Sequence, residues 1–222
     1  MADYAYRPFY RRNLPHMQPP GATVFVTFRL AGSLPRAVVE RWMAERQRTE
    51  AAHPNAPDVR ERALKAFRRA WFARFEDSLD RAEAGPDWLK DQRIAALVAA
   101  AIRRLDGARY TLDAYCVMPN HVHVVFTPRQ FVAQVSNLRH GEPPYHSLAA
   151  IMHSLKRYTA RAANRLLARS GTFWEHESFD HFVRDENELG RVVRYVLNNP
   201  VKAGLATRWQ DWPWSYSRYG TE

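Results

Sequence analysis

Residues 110–126, Tyr-Thr-Leu-Asp-Ala-Tyr-Cys-Val-Met-Pro-Asn-His-Val-His-Val-Val-Phe, decide the fold of this chain. Two β-rich runs, Tyr110 to Met118 and His121 to Thr127, are joined by a tight Pro-Asn connection, which predicts two neighbouring strands. Successive side chains of a strand point to opposite faces, so His121 and His123 are expected on one face. The apolar residues that alternate with them are then expected to face a core.

Two imidazoles on one strand face, separated by a single residue, converge on one point. This arrangement suits two ligands of one metal ion. His-x-His is nevertheless a short pattern, and two ordinary histidines on the solvent face of a sheet would produce the same sequence. Both interpretations remain open at this point.

The chain upstream of this stretch alternates between strand and helix patterns. Thr23 to Leu30 mixes β-branched and aromatic residues and predicts a strand. The following alanine- and arginine-rich stretch, from about 35 to 83, is broken at residues 53–57 and predicts two helices that form a hairpin. Its second half has an apolar face at spacings of three and four residues, and Trp88 to Leu105 predicts a further helix.

The downstream part predicts two more helices. Ser147 to Arg169 has a buried face, and beside it an arginine recurs every fourth residue. The segment Phe173 to Val183 is predicted to be irregular or a hairpin. Asp185 opens the last helix, which is expected to stop before Pro200 because proline and its preceding residue disfavour helix continuation.

Length and composition indicate one globular α+β domain. The chain has 222 residues, 46% hydrophobic and 25% charged, so we expect a single domain over 1–222 with a helical insertion at 35–86. No apolar run approaches the roughly 18 residues of a membrane span. The chain also lacks an apolar leader, and its lone cysteine, Cys116, cannot form an internal disulfide, so a cytoplasmic location is expected.

Charge points to a polyanionic partner. The chain carries 33 basic and 23 acidic residues, a net charge of +10. Aromatic residues, 13% of the chain, are interleaved with arginine, which favours nucleic acid over an anionic membrane because bases stack on rings while guanidinium groups bind phosphates. A basic surface that serves only solubility is the alternative.

The helix after Asp185 offers a candidate nucleophile. At 100° per residue, Glu188, Tyr195 and Asn199 share a stripe along the border of the apolar face. Each also has an ordinary structural explanation: Tyr195 as a packed ring, Glu188 as part of a capping box with Asp185, and Asn199 as a helix-end residue.

Several motifs together carry a family resemblance. Residues 114–125, Ala-Tyr-Cys-Val-Met-Pro-Asn-His-Val-His-Val-Val, are followed about seventy residues later by residues 194–204, Arg-Tyr-Val-Leu-Asn-Asn-Pro-Val-Lys-Ala-Gly. With residues 154–161 and 211–215, this order resembles the REP-associated tyrosine transposases, relatives of the single-tyrosine HUH transposases of small insertion sequences. The similarity spans most of the chain, and the helical hairpin matches least well.

The resemblance implies a ferredoxin-like HUH domain, with an antiparallel sheet whose central strand bears the two histidines and with helices on one face. It implies that His121 and His123 are the HUH histidines, that Tyr195 is the nucleophile, and that Asn199 is the third ligand of a divalent ion, Mg²⁺ or Mn²⁺. Tyr158 is a competing nucleophile, although its position in the motif does not match the catalytic tyrosine of the family.

The implied activity is cleavage and rejoining of single-stranded or hairpin DNA through a 5′-phosphotyrosine intermediate. The alternative is a transposase-derived protein that binds such DNA without cleaving it. A homodimer and a monomer both remain open. The expected DNA-binding residues lie in the N-terminal arm and on the arginine-striped helix: Arg7, Arg11, Arg12, Lys156, Arg157, Arg161 and Arg165.

Overall fold

The computed structural model describes residues 9–11, 15–17, 21–52, 56–81, 85–130 and 145–220. Its helices are α1 (Arg36–Ala51), α2 (Pro57–Arg81), α3 (Gln92–Leu105), α4 (Leu148–Leu166) and α5 (Glu186–Lys202). Its strands are β1 (Phe9–Arg11), β2 (Pro15–Met17), β3 (Val24–Arg29), β4 (Tyr110–Val117), β5 (His121–Pro128), β6 (Phe179–Phe182) and β7 (Ser215–Ser217). Within these ranges, no helix is both long and apolar enough to cross a bilayer.

A five-stranded antiparallel sheet organises the molecule, in the order β6-β3-β5-β4-β7. The strand that bears the two histidines, β5, is therefore central, as predicted. His123 lies opposite Thr27 of β3 on one side and Cys116 of β4 on the other. The expected α+β class with an antiparallel sheet and packed helices is confirmed.

Helices cover both faces of the sheet, so the expectation of helices on one face only is wrong. The face formed by Val122, Val124 and Phe126 packs against α3 and α4. The opposite face, which includes Val125 and both histidine positions, packs against α5 and receives Phe72 of α2. The physical reason is that every residue of β3 is buried, and a strand that is apolar on both sides needs cover on both sides.

The stretch between β3 and α3 contains two helices that contact each other, α1 and α2. Trp42 of α1 packs against Trp71, Phe75 and Leu79 of α2 in a small core of their own. Apolar burial on one side and charged residues on the other account for this pair. The C-terminal half of α2 also lies against the sheet. Its Phe72 contacts Phe25 at the edge of the apolar core between the sheet and α5.

The last helix does not stop before Pro200, as the sequence predicted, but runs through it to Lys202. Proline removes only one donor, and the final turn is held by the Ala203 amide, which donates to the Asn199 carbonyl at 2.9 Å. Asn199 is consequently an internal helical residue with a buried side chain rather than a cap.

Candidate active site

The two histidines of β5 lie side by side in the interior. Both are fully buried, and their Nε2 atoms are 3.0 Å apart. The alternative of two solvent-facing histidines is therefore wrong. Since the helix α5 covers this face of the sheet and α2 approaches His123, the imidazoles lie between the sheet, α5 and α2.

Neighbouring side chains fix the orientation of both rings. The Nδ1 atom of His121 lies 2.7 Å from the Oδ1 of Asn120, whose amide nitrogen donates to the Leu79 carbonyl of α2 at 3.0 Å. An amide oxygen only accepts, so Nδ1 of His121 carries the proton and its Nε2 presents a lone pair. Nδ1 of His123 bonds the buried Thr27 hydroxyl at 2.8 Å. Such outer partners are what orients metal-binding histidines.

A carboxylate from the helical hairpin completes the cluster. Glu76 of α2 is 2% exposed, and its Oε2 lies 3.2 Å from Nε2 of His123. Among the His, Cys, Asp and Glu side chains of the described residues, Glu76, His121 and His123 form a group whose ligand atoms all lie within 4.8 Å of one another. Sequence reasoning missed Glu76; an acidic residue bordering the apolar face of α2 was the available signal.

Asp80 lies one helical turn beyond Glu76, with its Oδ1 4.0 Å from Nε2 of His121. Its other oxygen accepts from Lys202 of α5 at 2.9 Å, and Lys202 also binds Asp77 at 2.9 Å. Burial raises the pKa of Asp80 against the opposing effect of the lysine. These ion pairs attach α2 to the helix that carries Tyr195.

Tyr195 meets the histidines and the carboxylate in this space. Its hydroxyl donates a hydrogen bond to Oε2 of Glu76, and its ring lies 5.7 Å from that of His123 and 5.9 Å from that of Phe25, centre to centre. Burial, and then the Glu76 carboxylate, raise the pKa of Tyr195 far above its ordinary value. The phenol is therefore protonated in this arrangement.

Asn199 follows Tyr195 by one turn of α5 and is 1% exposed. Its amide nitrogen donates to the Tyr195 carbonyl at 3.0 Å, while its Oδ1 is buried without a hydrogen-bond partner among the described residues. Asn199 as a metal ligand stays a prediction.

The donor set fits a divalent cation. Burial, followed by the neighbouring His123, lowers the pKa of His121 well below its usual value, so the imidazole stays neutral. Among the described residues, five buried side-chain oxygen atoms have no hydrogen-bond partner. Three of them belong to this site, on Glu76, Asp80 and Asn199, and the other two are on Asp113 and Tyr115 elsewhere. Such atoms are costly unless an ion, water or donor satisfies them. In an octahedral site whose ligands lie about 2.1 Å from the ion, neighbouring ligand atoms are about 3 Å apart, as the two Nε2 atoms are.

A second feature lies on the other side of the sheet. A groove of about 550 Å³ runs between the end of α3 and the exposed side of α4. Its basic lining consists of Arg104, Arg109, Arg157, Arg161 and Arg165. Tyr158 lies in the same groove, 44% exposed, with the Arg104 guanidinium 4.6 Å above its ring. We call this feature the arginine groove.

The remaining predicted residues have different locations. The Lys156 ammonium donates to the backbone carbonyls of Glu175, His176 and Glu177, at 2.9, 3.2 and 3.4 Å. Arg7 and Arg12 lie outside the described residues. Arg11 is in β1, which pairs with β2 although the sequence showed no periodicity there, and its side chain is also outside the described part.

The fold and site together define an antiparallel α+β domain with paired histidines on the central strand and a tyrosine on the packed helix beside them. Comparison with known proteins agrees. The chain is 25% identical over 108 residues to a Haemophilus influenzae protein provisionally named as a REP-associated tyrosine transposase. It is 26% identical over 106 residues to the REP-associated tyrosine transposase of Escherichia coli K12.

These alignments cover 46% and 48% of this chain and 56% and 53% of the relatives, so the chain spans about half the length of the proteins it matches. A solved structure of a REP-associated tyrosine transposase bound to a REP hairpin is similar in fold, with a TM-score of 0.51 at 17% identity, over 93% of this chain and 80% of that one. No family model matches the chain. The resemblance to REP-associated tyrosine transposases is confirmed by these similarities.

Proposed function

We propose that this protein is a metal-dependent tyrosine transposase that cleaves and rejoins single-stranded or hairpin DNA. The observation that carries the proposal is the meeting of His121, His123 and Tyr195 in one buried site although they come from different elements of the fold. The named relatives and the hairpin-bound structure of similar fold support the same activity.

In this proposal Tyr195 is the nucleophile and His121, His123 and Asn199 hold the divalent ion, Mg²⁺ or Mn²⁺. The free Oδ1 of Asn199 and the neutral His121 support the ligand assignment. Such an ion, when bound, polarises a non-bridging phosphate oxygen and stabilises the charge that develops on it.

The reaction of the chain itself is a transesterification. The Tyr195 Oη atom attacks phosphorus, a bond forms between them, and the bond from phosphorus to the 3′ oxygen breaks. The proton lost by the phenol is balanced by the one gained on the departing 3′ hydroxyl. The 5′ phosphate stays on the tyrosine, so the reverse reaction rejoins a strand without a nucleotide cofactor.

DNA is proposed to bind partly in the arginine groove. Arg157, Arg161 and Arg165 are exposed there, and none of them forms an ion pair with a carboxylate of the described residues. Unpaired guanidinium groups are suited to phosphate. We assign Lys156 a structural role instead, because its ammonium is bound to three carbonyls. Arg7, Arg11 and Arg12 remain predicted DNA contacts.

One observation favours the second candidate, a protein that binds hairpin DNA without cleaving it. Both histidines are fully buried, and the Tyr195 hydroxyl is engaged by Glu76 inside the site. A substrate must therefore gain access to these groups before any cleavage.

The two candidates are separated by a covalent trapping experiment. A pool of hairpins with randomised single-stranded flanks, labelled at the 3′ end, is incubated with the protein and Mn²⁺ or Mg²⁺. Because a 5′-phosphotyrosine retains the 3′ fragment, the label should migrate with the denatured protein, and chelation should prevent it. Retarded migration in native gels without any adduct under either ion would support the non-cleaving alternative.

A further inference from the structure

We propose that the helical hairpin is part of the catalytic centre, with Glu76 of α2 as a carboxylate ligand of the cation that His121 and His123 bind. This inference rests on the proposed function for the presence of that cation. It assigns to the insertion a chemical role, which neither the sequence motifs nor the resemblance supplied.

The position of the carboxylate supports a ligand role. Its Oε2 lies 3.2 Å from Nε2 of His123, and the two Nε2 atoms are 3.0 Å apart. Three candidate ligand atoms from two elements thus lie within 4.8 Å of one another. Imidazole nitrogen and carboxylate oxygen together are a common donor set for divalent ions.

The unsatisfied bonding capacity of Glu76 is the independent observation. The residue is 2% exposed, Oε2 accepts from Tyr195, and Oε1 has no hydrogen-bond partner among the described residues. A carboxylate kept in the interior with one oxygen unpartnered carries a large desolvation cost. A cation in contact with it removes that cost.

The approach of α2 to the site is fixed by contacts that do not involve Glu76. Asn120 donates to the Leu79 carbonyl at 3.0 Å, and Phe72 stacks on Phe179 of β6 with ring centres 4.2 Å apart. Lys202 of α5 binds the largely buried Asp80 at 2.9 Å, whereas its ion pair with the exposed Asp77 contributes little. The helix is therefore held in the register that directs Glu76 at the histidines.

Asp80 is the rival carboxylate on the same helix. Its nearest approach to the histidines is 4.0 Å, and it already has Lys202 as a partner. Glu76 is closer and has no cationic partner besides the histidine contact among the described residues. It also accepts from Tyr195, so the proposed nucleophile and the cation would share one carboxylate.

The test measures Mn²⁺ binding directly, by isothermal titration calorimetry of the full chain without DNA. The variants are Glu76→Gln, Glu76→Asp, Asp80→Asn and, as the matched control, Asp77→Asn. Asp77 is the next residue on the same helix and is exposed, so this control removes the same charge without touching the histidines. Circular dichroism verifies that each variant is folded.

We expect Glu76→Gln to bind Mn²⁺ at least ~10-fold more weakly than the wild type, since even the loss of an outer partner costs about 10- to 100-fold. Asp77→Asn should be unchanged. The increase in melting temperature on adding Mn²⁺ should shrink in parallel for Glu76→Gln. Glu76→Asp keeps the charge but shortens the reach, so it should also bind weakly, and it replaces the glutamine variant if that one does not fold.

Wild-type affinity in folded Glu76 variants would overturn the inference, as would a loss confined to Asp80→Asn. Neither result would affect adduct formation by the wild type, which tests the proposed function. A wild-type protein that binds no Mn²⁺ would overturn both.

Discussion

Asn120 links His121 to helix α2. Its Oδ1 lies 2.7 Å from Nδ1 of the histidine, and its amide nitrogen donates to the Leu79 carbonyl at 3.0 Å. One buried side chain therefore sets the tautomer of the first histidine and anchors helix α2 beside it. This explains why an asparagine precedes the histidine pair in chemical terms: an amide can accept from a ring and donate to a carbonyl at once.

Replacing Asn120 with alanine should weaken Mn²⁺ binding about 10- to 100-fold, because His121 loses the partner that orients it. It should also lower the free energy of unfolding by about 1–3 kcal/mol, since the buried Leu79 carbonyl loses its donor. Calorimetric titration and urea denaturation measure the two effects. Asn198→Ala, at an exposed position of α5, is the control and should change neither. Unchanged Mn²⁺ affinity in Asn120→Ala would argue against an orienting role.

Tyr195→Phe should abolish the covalent adduct, because the nucleophilic hydroxyl is lost, while the variant still folds and binds DNA. Its free energy of unfolding should fall by about 1–3 kcal/mol, since the buried Oε2 of Glu76 loses a donor. Tyr158→Phe is the matched comparison. It lies in the arginine groove on the other side of the sheet, so it should still form the adduct. Trapping with 3′-labelled hairpins measures both. Adduct formation by Tyr195→Phe would show that another residue is the nucleophile.

The sequence predicted the two histidines and the tyrosine of the site, through strand alternation and the family motifs. His121 and His123 share a face because they are two residues apart on one strand, and the burial of the intervening valine follows from the same rule. The apolar stripe of α5 likewise predicted that Tyr195 lies at a core border.

Glu76 could not be predicted in the same way, because no local rule connects it with a histidine 45 residues later. Its position depends on how α2 packs across the sheet, which is set by aromatic contacts between distant residues such as Phe72 and Phe179. The stop predicted at Pro200 failed for a related reason. The proline rule describes a local cost, whereas Pro200 and Leu197 are both buried against other elements of the fold, which the local sequence does not reveal.

The free energy of unfolding should fall as the pH drops below about 6.5. Burial holds the pKa of His121 well below its usual value, whereas in the unfolded chain this histidine protonates near 6.5. Below that pH the unfolded state binds the extra proton, so stability is lost progressively until the folded-state pKa is reached, at up to ~1.4 kcal/mol per pH unit.

Urea denaturation between pH 7.5 and 5 measures the slope of the free energy of unfolding against pH. His121→Asn keeps a donor near Asn120 but does not titrate, so its slope should be smaller than that of the wild type by the contribution of one histidine. Equal slopes would contradict the buried, neutral state of His121. For the same reason, metal-dependent activity should persist to a lower pH than an exposed imidazole would allow.

DNA binding should weaken with salt, because phosphate contacts release condensed counterions. If about six phosphates of a single strand are contacted, log K should fall with log[salt] at a slope near −4. Replacing Arg157, Arg161 and Arg165 together by glutamine should reduce that slope by about 2. Fluorescence anisotropy at several salt concentrations measures it.

A matched triple variant separates the arginine groove from net charge. Arg41, Arg93 and Arg208 are exposed elsewhere and pair with Glu45, Asp91 and Asp211. Exchanging these three for glutamine changes the net charge equally, but the slope should stay close to that of the wild type. Identical slopes in the two triple variants would mean that the groove is not the DNA-binding surface.

Trp212 should matter for stability rather than for DNA. Its indole nitrogen donates to the Val117 carbonyl at 3.0 Å, and the Trp214 carbonyl accepts from the Val117 amide at 2.9 Å. The C-terminal tryptophans therefore hold the end of β4 immediately before the turn that leads to His121. Trp212 also packs against the core beneath α5.

Trp212→Ala should consequently lower the free energy of unfolding by about 2–4 kcal/mol, less than the upper end for a fully buried tryptophan because this one is only partly buried. Trp212→Phe keeps a ring but loses the N–H, and should cost about 1 kcal/mol. Urea denaturation measures both, and anisotropy of the folded variants should give the wild-type salt slope, since no phosphate contact is removed. A tryptophan that instead stacked on bases would show the opposite result, with weakened DNA binding at unchanged stability.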